Sequence, residues 1–186
     1  RNMIEINCQN YLNTYLNKKV NYKHSSSSKN LMLILDTRLS LALILVIKNA
    51  LIKMPNFNLS YQLISFSEEK NVFRGFHFQN KPFEQTKILI VHQGSIKDIF
   101  FPIENSAKSS ISEYDLKAGD VVVIPNNFAH GFYTKSSNVL LQYLMDQKFS
   151  PEHYTGFSPL GYIEKHSFDS EPIVSKKDIS LPQLNF

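Results

Sequence analysis

The sequence predicts an all-β barrel or sandwich, and three observations support this fold class. From about residue 60 onward, short strand-like runs follow one another, separated by the turn-forming stretches QGS, KAGD, PNN and KSSN. No long stretch with the 3.6-residue period of an amphipathic helix appears in this part of the chain. The fourteen Phe and nine Tyr residues also favour β-structure.

The strands are expected in a regular order along the chain. Each run is rich in β-branched or aromatic residues and is bounded by turn formers. The expected strands are YQLISFS (61–67), VFRGFHFQ (72–79), KILIVH (87–92), SIKDIFF (95–101), DVVVIP (120–125), HGFYTK (130–135) and NVLLQYLM (138–145). The stretch SKKDISLPQL near the end is polar with a few apolar anchors, and a final helical turn is expected there.

A chain of 186 residues is expected to form a single domain with a substantial core. We divide residues 1–186 into an N-terminal segment (1–59), a barrel core (60–165) and a C-terminal tail (166–186). The longest apolar stretch, LSLALILVI at 39–47, is too short to span a bilayer and ends at Lys48. It is interpreted as a buried element, so no membrane association is expected.

Composition excludes some classes of function and leaves others open. The net charge of +4 suits an anionic small-molecule ligand as well as it suits nucleic acid. No cluster of Lys and Arg has the pattern of a nucleic-acid-binding surface, so no nucleic-acid partner is expected. The one cysteine, Cys8, cannot form a disulfide within the chain.

Strand alternation predicts which side chains share a face, because successive residues of a strand point to opposite sides. In VFRGFHFQ, alternation places Phe73, Gly75, His77 and Gln79 on one side. In the strand that contains Tyr143, the same rule places Val139, Leu141, Tyr143 and Met145 together. Tyr143 therefore lies in an apolar row, where its hydroxyl group requires a partner.

Two segments are similar to the pair of motifs found in cupins, which are small β-barrels. In GDVVVIPNNFAHG, Gly119 is followed after five residues by Pro125 and then by His130. The other segment begins at His77 and contains Glu84. Metal-binding cupins place two His and a Glu in this first motif, but Gln79 stands where the second His is expected, and an amide oxygen is a poor ligand for softer metals.

Several stretches in order resemble one particular family of metal-free cupins. RGFHFQ, QTK, IPNNFAHGF and QYLMDQKFSPE resemble the dTDP-4-dehydrorhamnose 3,5-epimerase family, whose members act on nucleotide-linked 4-keto-6-deoxy sugars. The ten-residue spacing from His77 to Lys87 matches the family pattern, and Tyr143 stands where the family has its acid tyrosine. The resemblance implies a double-stranded β-helix (cupin or jelly-roll barrel) with short flanking helices.

The resemblance also implies roles for individual residues. His77 would be the base, oriented by Asp178; Lys87 would stabilise an enolate oxygen; and Tyr143 would return a proton from the opposite face. The residues expected to bind substrate are Arg74, Gln79, Gln62, His130 and Arg38, of which the two arginines would pair with the diphosphate. No metal and no other cofactor is expected, because the ketone itself accepts the electrons.

The same resemblance implies a cytoplasmic homodimer whose N-terminal segment reaches the neighbouring subunit. The substrate would be a nucleotide-diphosphate 4-keto-6-deoxy sugar, inverted at C3, at C5 or at both carbons. Departures from the family pattern, such as Leu39 in place of a glycine, affect nucleotide and sugar recognition more than proton transfer. Two alternatives remain: a metal-dependent cupin enzyme using His77, Glu84 and His130, and a non-catalytic sugar-binding cupin.

Overall fold

The computed structural model describes residues 57–104 and 111–184. The chain divides into two units, residues 1–59 and 60–186, and the second unit is described below. Arg38, Cys8 and the apolar stretch at 39–47 lie outside the described residues. The organisation of residues 1–186 as a single domain stays a prediction.

The described part of the chain is dominated by β-strands, as expected. Its strands are β1 (Tyr61–Ser67), β2 (Val72–Gln79), β3 (Lys87–Gln93), β4 (Ser95–Pro102), β5 (Ser112–Lys117), β6 (Val121–Ile124), β7 (Phe128–Thr134), β8 (Val139–Met145), β9 (Tyr154–Gly156) and β10 (Ile173–Val174). Its helices are α1 (Leu160–Lys165) and α2 (Lys176–Ile179). All seven expected strands and the helical turn in the tail are confirmed, whereas β5, β9, β10 and α1 were not expected.

The strands form the two sheets of a jelly-roll barrel. The four-stranded sheet has the order β1-β8-β3-β6, and the six-stranded sheet has the order β10-β2-β7-β4-β5, with β9 also pairing with β2. All of these pairings are antiparallel except that of β10 with β2. The all-β jelly-roll prediction is therefore confirmed.

Two apolar clusters stabilise this arrangement. The inner cluster lies between the sheets and combines Leu89 and Tyr143 of one sheet with Ile96 and Phe132 of the other. It also contains Val139, Leu141 and Met145, so the alternation predicted for β8 is confirmed. The second cluster is built on the other face of the six-stranded sheet and includes Phe73, Phe76, Phe101 and, from helix α1, Tyr162.

Strict alternation was wrong for strand β2. Phe73 belongs to the second cluster, whereas Arg74 and His77 both line the cavity between the sheets. The cause is a shift in the register of β2 against β7 between Arg74 and His77, which breaks the two-residue period. Gly75 lies within this shift with a φ of 129°, and its backbone lies against that of Gly131.

We expect Gly75→Ala to destabilise the fold by more than about 2 kcal/mol. A Cβ atom at this position would lie 2.5 Å from the Gly131 Cα atom, and the φ value is one that side chains with a Cβ rarely adopt. Chemical denaturation measures the loss. The matched control is Gly161→Ala in helix α1, which should leave stability unchanged or raise it by up to about 1 kcal/mol. Equal stability of the two variants would contradict this account of β2.

Candidate active site

A cavity of about 390 Å³ opens between the two sheets. Its polar lining comes from strands of both sheets, from the loop between β2 and β3, and from helix α2. The polar side chains that line it are Ser65, Arg74, His77, Gln85, Lys87, His130, Tyr143, Tyr154 and Lys177. The apolar and aromatic remainder is Tyr61, Leu63, Phe132, Met145 and Phe149. Of the nine candidate site residues, His77, Lys87, Tyr143, Arg74 and His130 therefore meet at this cavity.

His77 is held from behind by Asp178, which comes from helix α2 near the end of the chain. The His77 Nε2 atom lies 2.8 Å from the Asp178 Oδ1 atom, and Asp178 is only 4% exposed. Two further hydrogen bonds hold Asp178: its backbone N–H donates to the Ser175 hydroxyl, and the Gly75 N–H donates to its Oδ2 atom at 3.5 Å. Burial raises the pKa of Asp178, but the hydrogen bond and charge of His77 outweigh it, so the pKa is lowered.

An ionised Asp178 determines which nitrogen of His77 carries the proton. A carboxylate only accepts hydrogen bonds, so Nε2 is the donor and Nδ1 is left with its lone pair. Beside this imidazole, the ring of Tyr154 lies 5.3 Å away, centroid to centroid. Burial raises the pKa of Tyr154 to about 12, so its phenol stays protonated at neutral pH.

Lys87 begins strand β3 and is 8% exposed. Its amine donates a hydrogen bond to the His77 carbonyl oxygen at 3.2 Å, so the base and the cation are neighbours. Burial lowers the pKa of Lys87 from 10.5 to about 8, against the opposing charge of Asp98. The amine is therefore mostly protonated at neutral pH and loses its charge just above it.

Tyr143 reaches the cavity from the other sheet. His77 lies on β2 of the six-stranded sheet, whereas Tyr143 lies on β8 of the four-stranded sheet. Burial raises the pKa of Tyr143 well above its usual value, so the phenol is a proton donor at neutral pH. The cavity thus has a potential base on one sheet and a potential acid on the other.

His130 lies deeper and is paired with a residue that the sequence analysis missed. Its Nε2 atom lies 2.6 Å from the Oδ1 atom of Asp98, which is fully buried on strand β4. Burial lowers the pKa of His130 despite the neighbouring Asp98 charge, so the imidazole is neutral. Alternation in SIKDIFF was a usable signal for Asp98, because Ile96, Asp98 and Phe100 share a face and both apolar neighbours belong to the inner cluster.

The structure does not bring Gln79 and Gln62 to the cavity. The Gln79 amide donates to the carbonyl oxygens of Phe83 and Lys148, and its own oxygen accepts the Ser150 N–H at 2.7 Å. Gln62 alternates with the cavity-lining residues of β1 and pairs with Gln142. A role of either glutamine in substrate binding stays a prediction, as does that of Arg38.

Arg74 and Lys177 supply positive charge at the cavity, and Lys177 was not among the candidates. The Arg74 Nε atom donates to the Ser67 hydroxyl at 3.3 Å. The Lys177 amine lies 4.9 Å from the centre of the Tyr154 ring. Within residues 57–104 and 111–184, neither cation has a carboxylate within 4 Å. Its position next to Asp178 was the signal that could have identified Lys177.

A metal site built from side chains does not assemble in the described ranges. No three His, Cys, Asp or Glu side chains among these residues lie close enough to hold an ion together. Glu84, which the metal-dependent alternative requires, does not line the cavity. The carboxylates nearest to His77 and His130 are instead engaged in hydrogen bonds with those histidines.

The fold and the cavity define a small cupin-type barrel with an acid–base pocket between its sheets. A sequence profile of the dTDP-4-dehydrorhamnose 3,5-epimerase family matches residues 48–185, and the chain belongs to this family. No helix in the described part of the chain has the length and apolar character needed to cross a membrane.

Individual relatives show how far the similarity extends. The chain is 28% identical over 127 residues to the dTDP-4-dehydrorhamnose 3,5-epimerase of Sinorhizobium fredii (strain NBRC 101917 / NGR234). This match covers 64% of this chain and 65% of that relative, so the chain spans just under two thirds of the relative's length. The structure of the Bacillus anthracis str. Ames epimerase, with TDP and PPi bound, is 29% identical, with a TM-score of 0.64 over 74% of this chain and 82% of that one. The Sulfolobus tokodaii epimerase is also 29% identical, with a TM-score of 0.62 over 73% and 77% of the two chains.

We expect neutral His77 to carry its proton on Nε2. The ionised Asp178 accepts a hydrogen bond from this N–H, which leaves the lone pair of the neutral imidazole on Nδ1. Nitrogen-15 NMR of histidine-labelled protein distinguishes the two tautomers, and Asp178→Ala, which removes the acceptor, should weaken the preference for Nε2. A neutral His77 protonated on Nδ1 would contradict the arrangement.

Proposed function

We propose that this protein is an epimerase of nucleotide-linked 4-keto-6-deoxy sugars that inverts C3, C5 or both. The observation that carries the proposal is the placement of His77 and Tyr143 on opposing sheets, with the Lys87 amine beside His77. An inversion through an enolate needs a base on one side of the sugar, an acid on the other and a positive charge at the oxygen. The chain supplies one residue for each of these tasks at one cavity.

The chemistry follows from the acidity that a ketone gives to its neighbouring carbons. His77 removes the proton from the carbon through Nδ1, and the electron pair of the C–H bond moves into the ketone to form an enolate. Asp178 stabilises the imidazolium that results, because its hydrogen bond to Nε2 becomes an ion pair. The Lys87 ammonium stabilises the negative charge on the enolate oxygen in a cavity where water screens it poorly.

The return of a proton completes the inversion. Tyr143 donates its phenolic proton to the carbon from the other sheet while the enolate collapses to the ketone. The phenolate then recovers a proton from solvent, and His77 releases the one that it took. No redox group is required, because the ketone holds the electron pair between the two proton transfers.

The nucleotide end of the substrate is assigned to the two cavity-lining cations that lack a carboxylate partner among the described residues. Arg74 and Lys177 line the cavity and match the charge of a diphosphate. The family relative from Bacillus anthracis, whose structure holds TDP and PPi, supports a nucleoside diphosphate as the ligand class. Arg38 is proposed as a further diphosphate contact, and a cytoplasmic homodimer is proposed as the working form.

We expect the protein to exchange carbon-bound hydrogen of its substrate with solvent deuterium. Incubation of dTDP-, GDP-, UDP- and CDP-linked 4-keto-6-deoxy sugars in D₂O, followed by NMR or mass spectrometry, identifies the nucleotide and the carbons involved. His77→Asn should slow this exchange by about 10²–10⁴-fold, because it removes the base while keeping a side chain that can hydrogen-bond to Asp178. Exchange that is absent with every nucleotide, while binding persists, would favour a non-catalytic sugar-binding protein.

We expect Tyr143→Phe to separate exchange from inversion. The variant keeps His77, so deuterium should still enter from the face of the base with the original configuration retained. The inverted product should fall by about 10²-fold or more, since no phenol remains to donate from the other sheet. Chiral analysis of the sugar after single turnovers measures both quantities. Equal loss of exchange and inversion would instead place Tyr143 in substrate binding.

A further inference from the structure

A carboxylate that the mechanism above does not use lies behind the cavity. Asp98 is fully buried on β4, between Ile96 and Phe100 of the inner apolar cluster. Its Oδ1 atom is 2.6 Å from the His130 Nε2 atom, and its Oδ2 atom has no hydrogen-bond partner among the residues that the structure describes. Burying a carboxylate without full compensation is costly, so this residue is expected to serve a purpose beyond packing.

His130 connects this carboxylate to the cavity. Its ring lines the cavity, and it packs edge-on against Tyr143 with 5.8 Å between the ring centroids. Because the imidazole is neutral, its Nε2–H donates a hydrogen bond to Asp98 without neutralising the carboxylate. The pair therefore presents a net negative charge in a water-poor region.

Lys87 is the cation that this charge can reach. Its amine is buried and has no carboxylate within 4 Å in the described part of the chain. Lys87 shares a face of β3 with Leu89, which packs in the inner cluster with Ile96 and Phe100, the two residues that flank Asp98 on the same face of β4. Lys87 and Asp98 therefore face the same space between the sheets, where their charges attract each other. The other ionisable groups that face the cavity around Lys87 are Tyr61 on β1, His77 and Arg74 on β2, His130 on β7, Tyr143 on β8, Tyr154 on β9 and Lys177 on α2. None of these side chains is a carboxylate. Asp178 is engaged by His77, and Asp146, after β8, accepts the Thr86 N–H.

We propose that Asp98, held by His130, is a positioning residue whose buried negative charge keeps the Lys87 amine protonated and in place for the enolate oxygen. This proposal rests on the proposed epimerase function. Without the charge, burial would lower the protonated fraction of the Lys87 amine further near neutral pH. An opposite charge nearby shifts such a pKa by about 1–3 units, and the value of about 8 for Lys87 leaves little margin.

The first test measures Lys87 directly and needs no substrate. NMR of protein labelled with carbon-13 at the lysine Cε atoms follows each amine through its titration, and Lys87→Gln assigns the signal. In Asp98→Asn, the Lys87 signal should titrate at least about one pH unit lower than in the unchanged protein. Asp98→Glu retains the charge and should keep the titration close to the original pH. A Lys87 signal that titrates at the original pH in Asp98→Asn would overturn the proposal.

The matched control neutralises a carboxylate on the neighbouring strand. Glu113 on β5 lies opposite Ile99 of β4 and contacts Lys97, Tyr162 and His166 rather than the cavity. Glu113→Gln should leave the Lys87 titration unchanged. A shift as large as that of Asp98→Asn would mean that the effect is general to the fold, and it would also overturn the proposal.

The second test follows kcat against pH with the nucleotide sugar that the exchange assay identifies. The activity of the unchanged protein should fall as pH rises through about 8, because the Lys87 ammonium is lost there. Asp98→Asn should move this loss to lower pH, with at least about a fivefold deficit at pH 8 and a small deficit at pH 6. A deficit of equal size at every pH would indicate a structural role and sink the proposal. Because the NMR titration needs no turnover, failure of the epimerase assay alone would count against the proposed function and not against the Asp98 assignment.

Discussion

The hydrogen bond between His77 and Asp178 is the interaction on which the rest of the site depends. It joins residues 101 positions apart and connects the barrel to its C-terminal tail. Asp178 reaches this position because β10 pairs in parallel with β2 and because Ser175 caps helix α2. The register shift in β2 makes the other half of the contact, since it turns Arg74 and His77 toward the cavity and brings the Gly75 N–H to the carboxylate.

The barrel accepts several ionisable groups in its interior, and their burial is what makes them chemically useful. Lys87, Asp98, His130 and Tyr143 are all almost completely buried. Burial shifts the pKa values of Lys87, His130 and Tyr143 in the direction that favours the neutral form of each side chain. Lys87 is therefore close to its titration point, and Tyr143 stays a phenol. Such groups cost folding free energy, and the two apolar clusters on either side of the six-stranded sheet offset that cost. The buried ionisable groups that cost folding free energy therefore lie where the reaction is proposed to occur.

Much of the fold could be predicted because its signals are local. Short apolar runs and the turn glycines between them depend only on near neighbours in the chain, and the expected strands were confirmed. Strand β5 was missed because SEYDLK offers only two apolar residues, Tyr114 and Leu116, among charged ones, and because the strand is stabilised by pairing with β4, a contact that local pattern does not reveal. Helix α1 was missed for a similar reason, since its one buried side chain, Tyr162, belongs to a cluster assembled from distant strands.

The resemblance of the sequence to the motifs of one family determined which residues to consider: it pointed to His77, Lys87, Tyr143, Asp178 and Arg74 without coordinates. Only the tertiary structure decided how they meet, because it places His77 and Tyr143 on opposing sheets. It also engages Gln79 with three backbone groups instead of the cavity. Finally, it adds Tyr154 and Lys177 to the cavity lining and Asp98 behind it. The physical reason is that residue type and spacing are properties of the chain, whereas facing, burial and charge coupling depend on the register between strands that are far apart in sequence.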